Sequence, residues 1–460
     1  MLEGWMLIRD LLHSLISHPS IAGTEEEKNF GIYLHEYTSS LPCWEEVEAW
    51  KDGAGRVSIL AFRKGLSPSC VLFLGHYDTV GVEDYPEKEM AFDPERAKKW
   101  ILSAPDVPDE IRQGLEKGQW SAGRGSLDMK AGIAAQFSFV LHHCPPEATL
   151  LFLWVPDEEQ DSAGARFAFP LLYRFLQRRS LHLKWVIKSD FTHKKGAVYT
   201  GSTGKCLLNA YIRTKSGHVA DGEKVQNALS LGGKLIWHTA QTAPRGLSLT
   251  PLYLDIFSPG YSVQIPFECW IYLNMLFFRK GLKENIEAVK TALSRRFGED
   301  FLHWVEMERK VPAEGSLREK ALFAIQKNCD REGIHFFFSP PYYSPISTPE
   351  DSPVWRILRR VLRRMRKETR IPWRIYPVYP HISDLSFFQH RDENWEYFIR
   401  YCPVQWEPVW EGEIPAVTVL GPYGYGAHSA RECVDVMYSL HVLPQLYRNL
   451  IERAQREGFL

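Results

Sequence analysis

The chain has 460 residues, of which 45% are hydrophobic, 13% aromatic and 24% charged. This composition excludes disordered, collagen-like and low-complexity proteins, and the length favours two or three domains. Fifty-five Lys and Arg residues balance 56 Asp and Glu residues, for a formal net charge of -1. Because proteins that grip a phosphate backbone usually carry a basic excess, we expect no nucleic-acid partner.

The compartment follows from the cysteines and the N-terminal segment. The eight cysteines include no CxxC pair, which favours reduced thiols in a cytosolic protein. The first 19 residues are apolar at helical spacing but contain Glu3, Arg9 and Asp10, so they do not have the pattern of a signal peptide. No run of about 18 uncharged apolar residues predicts a membrane span. We therefore expect a cytoplasmic protein without a membrane partner.

The predicted elements alternate between strands and helices over much of the chain. Apolar runs at 70–74, 149–155, 183–187 and 414–420 predict strands that are buried on both faces, and helical patterns occupy 129–143 and 163–178. This alternation predicts an α/β domain with a mixed, mostly parallel sheet flanked by helices. Each of the four runs leads directly into a polar or glycine-rich cluster. In sheets of this kind, ligands bind at the carboxyl ends of the strands.

The pattern changes between about Thr203 and Glu314. Strands are predicted at 207–214 and 269–278 and helices at 225–239 and 283–297, which indicates a small α+β domain inserted into the first. From Lys320 onward helices return, and the last apolar strand leads to His428. We therefore predict a catalytic domain in two parts, 1–202 and 316–460, interrupted by an inserted domain at 203–315.

The polar clusters supply imidazoles and carboxylates but no thiolates. Their candidate members are His76, Asp78, Asp128, Glu158, Glu159, Asp190 and His428. These groups suit zinc or another divalent first-row metal, and the absence of thiolates disfavours a purely structural zinc site. Two imidazoles and several carboxylates exceed the needs of one catalytic zinc ion. They suffice for two metal ions that share a bridging carboxylate.

The spacing within two clusters predicts distinct roles. In His76-Tyr77-Asp78 the strand period places both polar side chains on one side, so Asp78 can accept a hydrogen bond from the second ring nitrogen of His76. The adjacent residues Glu158 and Glu159 leave the strand end in opposite directions. One of them can then hold metal while the other faces the reacting water.

Each cluster also has a structural interpretation when it is considered alone. A histidine two residues before an aspartate is mostly a surface or core residue, and an acidic run after a strand is usually a solvated turn. A single aspartate after a strand commonly caps a helix. The joint occurrence of four such clusters, each at the end of a predicted buried strand, favours a site.

Five segments resemble a known family in chain order. They are GHYDTV, GRGSLDMKAGIAA, PDEEQDSAGA, SGHVADGEKVQNA and GPYGYGAHSARECV. These segments are similar to motifs of the aminoacylase/carboxypeptidase-type dinuclear zinc hydrolases, which include acetylornithine deacetylases, succinyl-diaminopimelate desuccinylases, glutamate carboxypeptidases and dipeptidases. The segments IKSDF, YTGSTGKCLLNAYIR, YPHISDLSFF and LGPYGYGAH look most like the arginine-utilisation (RocB-type) branch.

The resemblance implies a role for each candidate residue. His76, Asp128 and Asp190 would hold one metal ion, and Asp128 would bridge to a second ion held by Glu159 and His428. Glu158 would be the general base that takes a proton from a metal-bridged water and delivers it to the leaving amine. Asp190 stands where the family most often has Glu, which affects metal spacing and preference.

The resemblance also makes the inserted domain a dimerisation lid. His218 matches a family histidine that reaches into the partner's site and stabilises the oxyanion. The alternative is a structural histidine at a strand end, and Val219-Ala220-Asp221 departs from the family pattern. We expect a homodimer.

The expected protein is a zinc-dependent amidohydrolase with two divalent ions per chain, where cobalt or manganese could replace zinc. Its expected substrate is an N-acyl amino acid or short peptide, with a link to arginine or ornithine metabolism. The alternatives are a dipeptidase or aminopeptidase of the same family and a catalytically silent relative that acts as a binding protein. The sequence assigns no role to two further segments, the loop between Asp78 and Asp128 and the basic helix at 355–370.

Overall fold

The computed structural model describes residues 2–222, 224–242, 246–257, 261–277, 280–306, 310–312 and 316–460. The chain forms two compact units. The first contains Met1–Gly201, Ser347–Tyr379 and Val409–Leu460, and the second contains Ser202–Ile346 and Pro380–Pro408. Residues 316–346 and 380–408, which we predicted within the catalytic domain, thus belong to the second unit.

The first unit is built on an eight-stranded mixed sheet. Its strands lie in the order Glu46–Lys51, Val57–Arg63, Thr149–Val155, Ser69–His76, His182–Lys188, Ala416–Val419, Ala197–Tyr199 and Arg374–Tyr376. The central strand Ser69–His76 pairs in parallel with both of its neighbours. Every residue of Thr149–Val155 is buried, as expected for a continuous apolar run covered on both faces. The predicted α/β fold class is confirmed.

Helices cover both faces of this sheet. They are Leu2–Ser17, Glu25–Ser39, Lys130–Ser138, Ala163–Arg178, Pro353–Thr369 and Leu443–Arg456; the π-helical segment Phe139–His143 continues Lys130–Ser138, and the π-helical segment Tyr438–Val442 precedes Leu443–Arg456. Phe73 and Phe139 pack on one face with ring centroids 5.1 Å apart. Phe62 and Phe175 pack on the other face at 5.4 Å. The period-2 alternation of the strands thus supplies two apolar surfaces.

The segment between Asp78 and Asp128 has a small core of its own. Helices Pro94–Ser103 and Asp109–Glu116 bury Ile101 and Leu115 in a cluster that includes Trp120 and Cys433. A three-stranded sheet of Gly424–Tyr425, Cys433–Asp435 and Trp120–Ala122 adjoins this cluster. The segment is therefore a folded part of the first unit.

The basic helix has the amphipathic pattern that we predicted. Its apolar stripe, which includes Trp355, Leu358 and Met365, is buried, and its arginines face outward. Arg356 and Arg360 form ion pairs of 2.7 Å with Glu457. Part of the basic face is thus neutralised within the unit.

The second unit contains a five-stranded sheet in the order Leu247–Ile256, Glu268–Phe277, Gly204–Arg213, Gly333–Tyr343 and Leu302–Trp304. Gly217–His218 pairs with Gln264–Ile265. The helices are Ala228–Thr242, Leu282–Phe297, Leu317–Asn328 and Glu393–Arg400, with turns at Val219–Asp221, Glu299–Phe301 and Asp384–Phe388. Two-residue strands, Gly201–Ser202 and Ile346–Ser347, lie where the chain passes between units. The strand predicted at 269–278 ends at a residue outside the described part.

The sequence did not predict the strand Gly333–Tyr343. This strand pairs with Gly204–Arg213 as far as Ser339 and again at Tyr343, so it draws residues after Glu332 into the second unit. The region between, with Pro340 and Pro341, does not hold the ladder register. Prolines argue against a central strand because they donate no hydrogen bond. The register shift shows how the structure accommodates them.

Among the described residues, no helix combines the length and the apolar character that a bilayer span requires.

Candidate metal centre

Polar residues lie at the carboxyl ends of three adjacent parallel strands, at one edge of the main sheet. His76 is the last residue of Ser69–His76, and Glu158 and Glu159 follow Thr149–Val155. Asp190 follows His182–Lys188 by two residues. Because parallel strands end at the same edge, their carboxyl-terminal residues meet there.

Asp128 reaches this edge from the segment before helix Lys130–Ser138. Its backbone N–H and that of Leu127 donate to Glu432 Oε1 at 3.1 and 2.9 Å. Glu432 is itself buried and paired with Arg124 at 3.0 Å. Glu432 lies four residues after His428, so this carboxylate ties the Asp128 segment to the His428 loop. Sequence reasoning assigned Glu432 no role, although it lies inside one of the family-like segments.

The structure brings the candidate ligands into two overlapping groups. His76, Asp128 and Asp190 form one, and Asp128, Glu159 and His428 form the other; in each group one ligand atom per residue lies within 4.8 Å of the others. Asp128 belongs to both, with Oδ1 3.1 Å from His76 Nε2 and Oδ2 3.0 Å from His428 Nε2. Its two oxygens thus face different histidines. This is the arrangement that a carboxylate shared between two metal ions requires.

The electrostatics of these groups fit a bound cation. Burial raises the pKa of Glu159 to about 8, and the charge of Asp128 adds to this effect. Burial likewise raises the pKa of Asp190 to about 6. Hydrogen bonds to Asp128 and Glu159 raise the pKa of His428 to about 11. At neutral pH, Glu159 and His428 therefore hold protons that a divalent ion would displace, because metal binds their deprotonated forms, whereas Asp190 is mostly ionised.

Asp128 itself remains ionised. Burial disfavours its charge, but hydrogen bonds from His428 and His76 outweigh burial and hold the pKa of Asp128 far below its usual range. Burial also opposes protonation of His76, yet Glu158, Asp128 and Asp78 together raise its pKa well above the ordinary value. The shared carboxylate is thus the most firmly charged group of the centre.

Glu158 lies beside a buried lysine. Lys188 Nζ is 2.5 Å from Glu158 Oε1 and 2.9 Å from Asp190 Oδ2. Burial disfavours the charged form of Glu158, but Lys188 and then His76 outweigh burial and lower its pKa. Glu158 is therefore ionised and able to accept a proton. Sequence reasoning assigned Lys188 no role, although this lysine directly follows the predicted buried strand at 183–187.

Contrary to the prediction from spacing, the Asp78 carboxylate accepts a hydrogen bond from the backbone of Glu159 and not from His76. His76 Nδ1 lies 3.2 Å from the backbone oxygen of Asp78, whereas the carboxylate oxygen Oδ1 is 3.6 Å away, too far for a hydrogen bond. The other carboxylate oxygen accepts the backbone N–H of Glu159 at 3.0 Å. Asp78 thus orients His76 through its main chain and the Glu159 segment through its side chain.

Tyr379 is a third residue that sequence reasoning missed. It is buried in the first unit, and its ring lies 6.3 Å from that of Phe191, the residue after Asp190. Burial raises the pKa of Tyr379 well above its ordinary value, and the charges of Asp190, Asp128 and Glu158 add to this. Its hydroxyl therefore shares the electrostatic surroundings of the centre.

His218 belongs to the second unit, unlike the other predicted site residues. It is exposed, and its Nδ1 accepts the backbone N–H of Ala220 at 3.1 Å. This hydrogen bond caps the turn Val219–Asp221. The structure therefore assigns His218 a local capping contact, and its catalytic role stays a prediction.

Comparison with known proteins identifies the family of this chain. The model of peptidase family M20/M25/M40 matches residues 72–405, and the chain therefore belongs to that family, whose members are metal-dependent hydrolases of amide bonds. Protein RocB of Bacillus subtilis (strain 168) is 27% identical over an alignment of 529 residues that covers 95% of this chain and 93% of RocB. The family resemblance seen in the sequence is confirmed.

Two further relatives bear on the fold and the family. Succinyl-diaminopimelate desuccinylase 2 of Shewanella loihica is 28% identical over 198 residues, which cover 39% of this chain and 50% of that enzyme. The structure of a tripeptidase from Staphylococcus aureus superposes with a TM-score of 0.63 at 14% identity, covering 98% of this chain and 99% of that one. At this identity the structural likeness establishes the shared fold.

Proposed function

We propose that the protein hydrolyses the amide bond of an N-acyl amino acid or short peptide with two divalent metal ions per chain, most simply zinc. The observation that carries this proposal is the position of Asp128 between two ligand groups, one oxygen facing each histidine. His76, Asp128 and Asp190 would hold one ion, and Asp128, Glu159 and His428 the other. Imidazole and carboxylate ligands without thiolates suit zinc, cobalt or manganese.

Bound ions would supply Lewis-acid chemistry, because they acidify water and polarise an amide carbonyl. The protein's own part is proton transfer. Glu158 is ionised through its contact with Lys188 and lies next to the ligand Glu159, so it is placed to take a proton from the attacking water. After the tetrahedral species forms, Glu158 would return the proton to the leaving amine nitrogen. In a homodimer, His218 of one chain would stabilise the oxyanion in the partner's site, as the family resemblance implies.

The proposed substrate class rests on the relatives. The desuccinylase favours an N-acylated amino acid. The resemblance of the sequence segments to the arginine-utilisation (RocB-type) branch implies a link to arginine or ornithine metabolism. The alternative is a dipeptidase or aminopeptidase of the same peptidase family. A panel of N-acetyl and N-succinyl amino acids beside dipeptides separates the two, because only one bond type should be cleaved efficiently.

We further propose a cytoplasmic homodimer. All eight cysteines are free, as expected in a reducing compartment. Strand Leu247–Ile256 lies at the edge of its sheet, and its Leu252 is 56% exposed. Trp237 on helix Ala228–Thr242 is 70% exposed. Exposed apolar side chains on an edge strand commonly mark an interface, so the mass in solution should be twice that of the chain.

The decisive experiment replaces the proposed base. Purified wild type should contain about two metal ions per chain, as dinuclear catalysis requires. Glu158→Gln should keep this metal and lose about 100- to 10,000-fold in turnover, the usual contribution of general-base catalysis. Glu147→Gln, at an exposed position outside the site, is the matched control and should behave as wild type. Unchanged turnover in Glu158→Gln would remove Glu158 from the mechanism, and no metal after incubation with zinc would remove the hydrolase proposal.

A further inference from the structure

Lys188 stands apart from the other buried lysine that the structure describes. Both Lys130 and Lys188 are fully buried. Lys130 donates to the backbone oxygen of His18 at 2.8 Å and lies 4.5 Å from the ring centre of Phe30. Lys188 instead places its ammonium between two carboxylates of the metal centre, Glu158 and Asp190. A buried ammonium is stable only when such partners offset its lost hydration.

The two contacts of Lys188 have different consequences: one supports proton transfer by Glu158, and the other opposes metal binding at Asp190. Toward Glu158, the ammonium donates a charge-assisted hydrogen bond to Oε1, which fixes the carboxylate and leaves Oε2 to accept a proton. Toward Asp190, the ammonium occupies Oδ2, while the backbone N–H of Phe191 occupies Oδ1 at 2.8 Å. A cation there competes with a divalent ion for the same carboxylate and repels that ion.

We propose that Lys188 is a positioning residue that orients Glu158 for proton transfer and, through Asp190, weakens metal binding by the His76–Asp128–Asp190 group. This inference rests on the proposed function, because it assigns Lys188 its effect through the proposed base and a proposed metal ligand. It makes an unusual prediction. Removing a side chain next to a metal centre usually weakens metal binding, whereas removing Lys188 should strengthen it.

The test compares Lys188→Met with Lys184→Met. Lys184 lies on the same strand but is partly exposed and 4.0 Å from Glu413, outside the metal centre. Zinc affinity is measured by competition with a chromophoric chelator, and turnover with the best substrate of the panel. Lys188→Met should bind its first zinc ion about 10-fold tighter, from the loss of one opposing charge contact. Its turnover should fall about 100-fold, the usual effect of a misplaced catalytic group. Lys184→Met should change neither.

A double variant separates positioning from general damage. In the Glu158→Gln background, Lys188→Met should cause no further loss of turnover, because the group that it positions is already inactive, yet zinc should still bind more tightly. Weaker zinc binding in Lys188→Met, or a turnover loss that adds in full to that of Glu158→Gln, overturns the inference. If Lys188→Met does not fold with zinc, Lys188→Gln, which is uncharged but polar, replaces it with the same expected directions.

The outcomes also distinguish this inference from the proposed function. If wild type and Glu158→Gln turn over equally, the proposed mechanism fails. If Glu158→Gln is inactive but Lys188→Met matches wild type in both measurements, only the role of Lys188 fails.

Discussion

Gly132 permits a close backbone approach behind the metal centre, and its replacement by alanine tests that contact. It is the third residue of helix Lys130–Ser138. A Cβ atom there would lie 2.1 Å from the backbone oxygen of Ser189, the residue between Lys188 and Asp190. Ser189 is also held by its side chain, whose Oγ accepts hydrogen bonds of 2.9 Å from Gln136 and Tyr447. The carbonyl therefore cannot move away freely.

The expected magnitude follows from this distance. Carbon–oxygen contacts are normally about 3.3 Å or longer, so the helix or the Ser189 backbone must shift by about 1 Å. Overpacking of this kind destabilises proteins by about 1–3 kcal/mol, and the better helix propensity of alanine offsets about 1 kcal/mol of it. A shift of about 1 Å at Lys188 and Asp190 should also reduce turnover by about 100-fold.

The assay uses thermal unfolding, zinc affinity and turnover for Gly132→Ala and for a matched control. Gly53→Ala is the control because Gly53 is exposed and a Cβ there meets nothing within 4 Å. The net cost is then about 1 kcal/mol, so we expect Gly132→Ala to unfold at a temperature lower by about 2 °C, with impaired turnover, and Gly53→Ala to match wild type. If Gly132→Ala has the melting temperature, zinc affinity and turnover of the control, the backbone contact at Ser189 does not constrain the metal centre.

Two further predictions concern metal binding. Because His428 and Glu159 have raised pKa values of about 11 and about 8, they hold protons at neutral pH that metal must displace. Raising the pH from about 6 to about 7 should tighten zinc binding about 10-fold for each proton released, and equal affinities at both pH values would contradict this. Asp78→Ala removes the acceptor of the Glu159 N–H and should weaken zinc binding about 10- to 100-fold. Thr79→Val is its control, since the buried Thr79 hydroxyl has no hydrogen-bond partner among the described residues; equal weakening in both variants would exclude a specific role for Asp78.

Local pattern was sufficient for the central strands and for the identity of the candidate ligands. The run at 149–155 and the helix at 163–178 have the predicted bounds, because burial on both faces leaves a continuous apolar signal and an amphipathic helix leaves a 3.6-residue period. Polar residues that directly follow such strands mark the site, since parallel strands share one carboxyl edge. The family resemblance then supplied roles that spacing alone left open.

Local pattern failed where pairing is remote in the sequence. Strand Gly333–Tyr343 joins the second unit through Gly204–Arg213, more than 100 residues earlier, and its two prolines conceal it. The segment 380–408 likewise joins that unit through contacts such as the 2.9 Å hydrogen bond from Tyr397 to Glu287. No short-range period records either association, because both are properties of the folded chain.

The sequence by itself therefore determined the fold class and the family, and it predicted the candidate metal ligands. The tertiary structure alone decided how they act together. In the folded chain, one oxygen of Asp128 faces His76 and the other faces His428. The Asp78 carboxylate accepts the backbone N–H of Glu159, and Glu432 accepts the backbone N–H of Asp128. The tertiary structure also places the Lys188 ammonium between Glu158 and Asp190. The physical reason is that the ionisation state and the hydrogen bonds of each group depend on its distance from other groups and on its burial. These distances and this burial exist only after strand ends that are far apart in the sequence have come together.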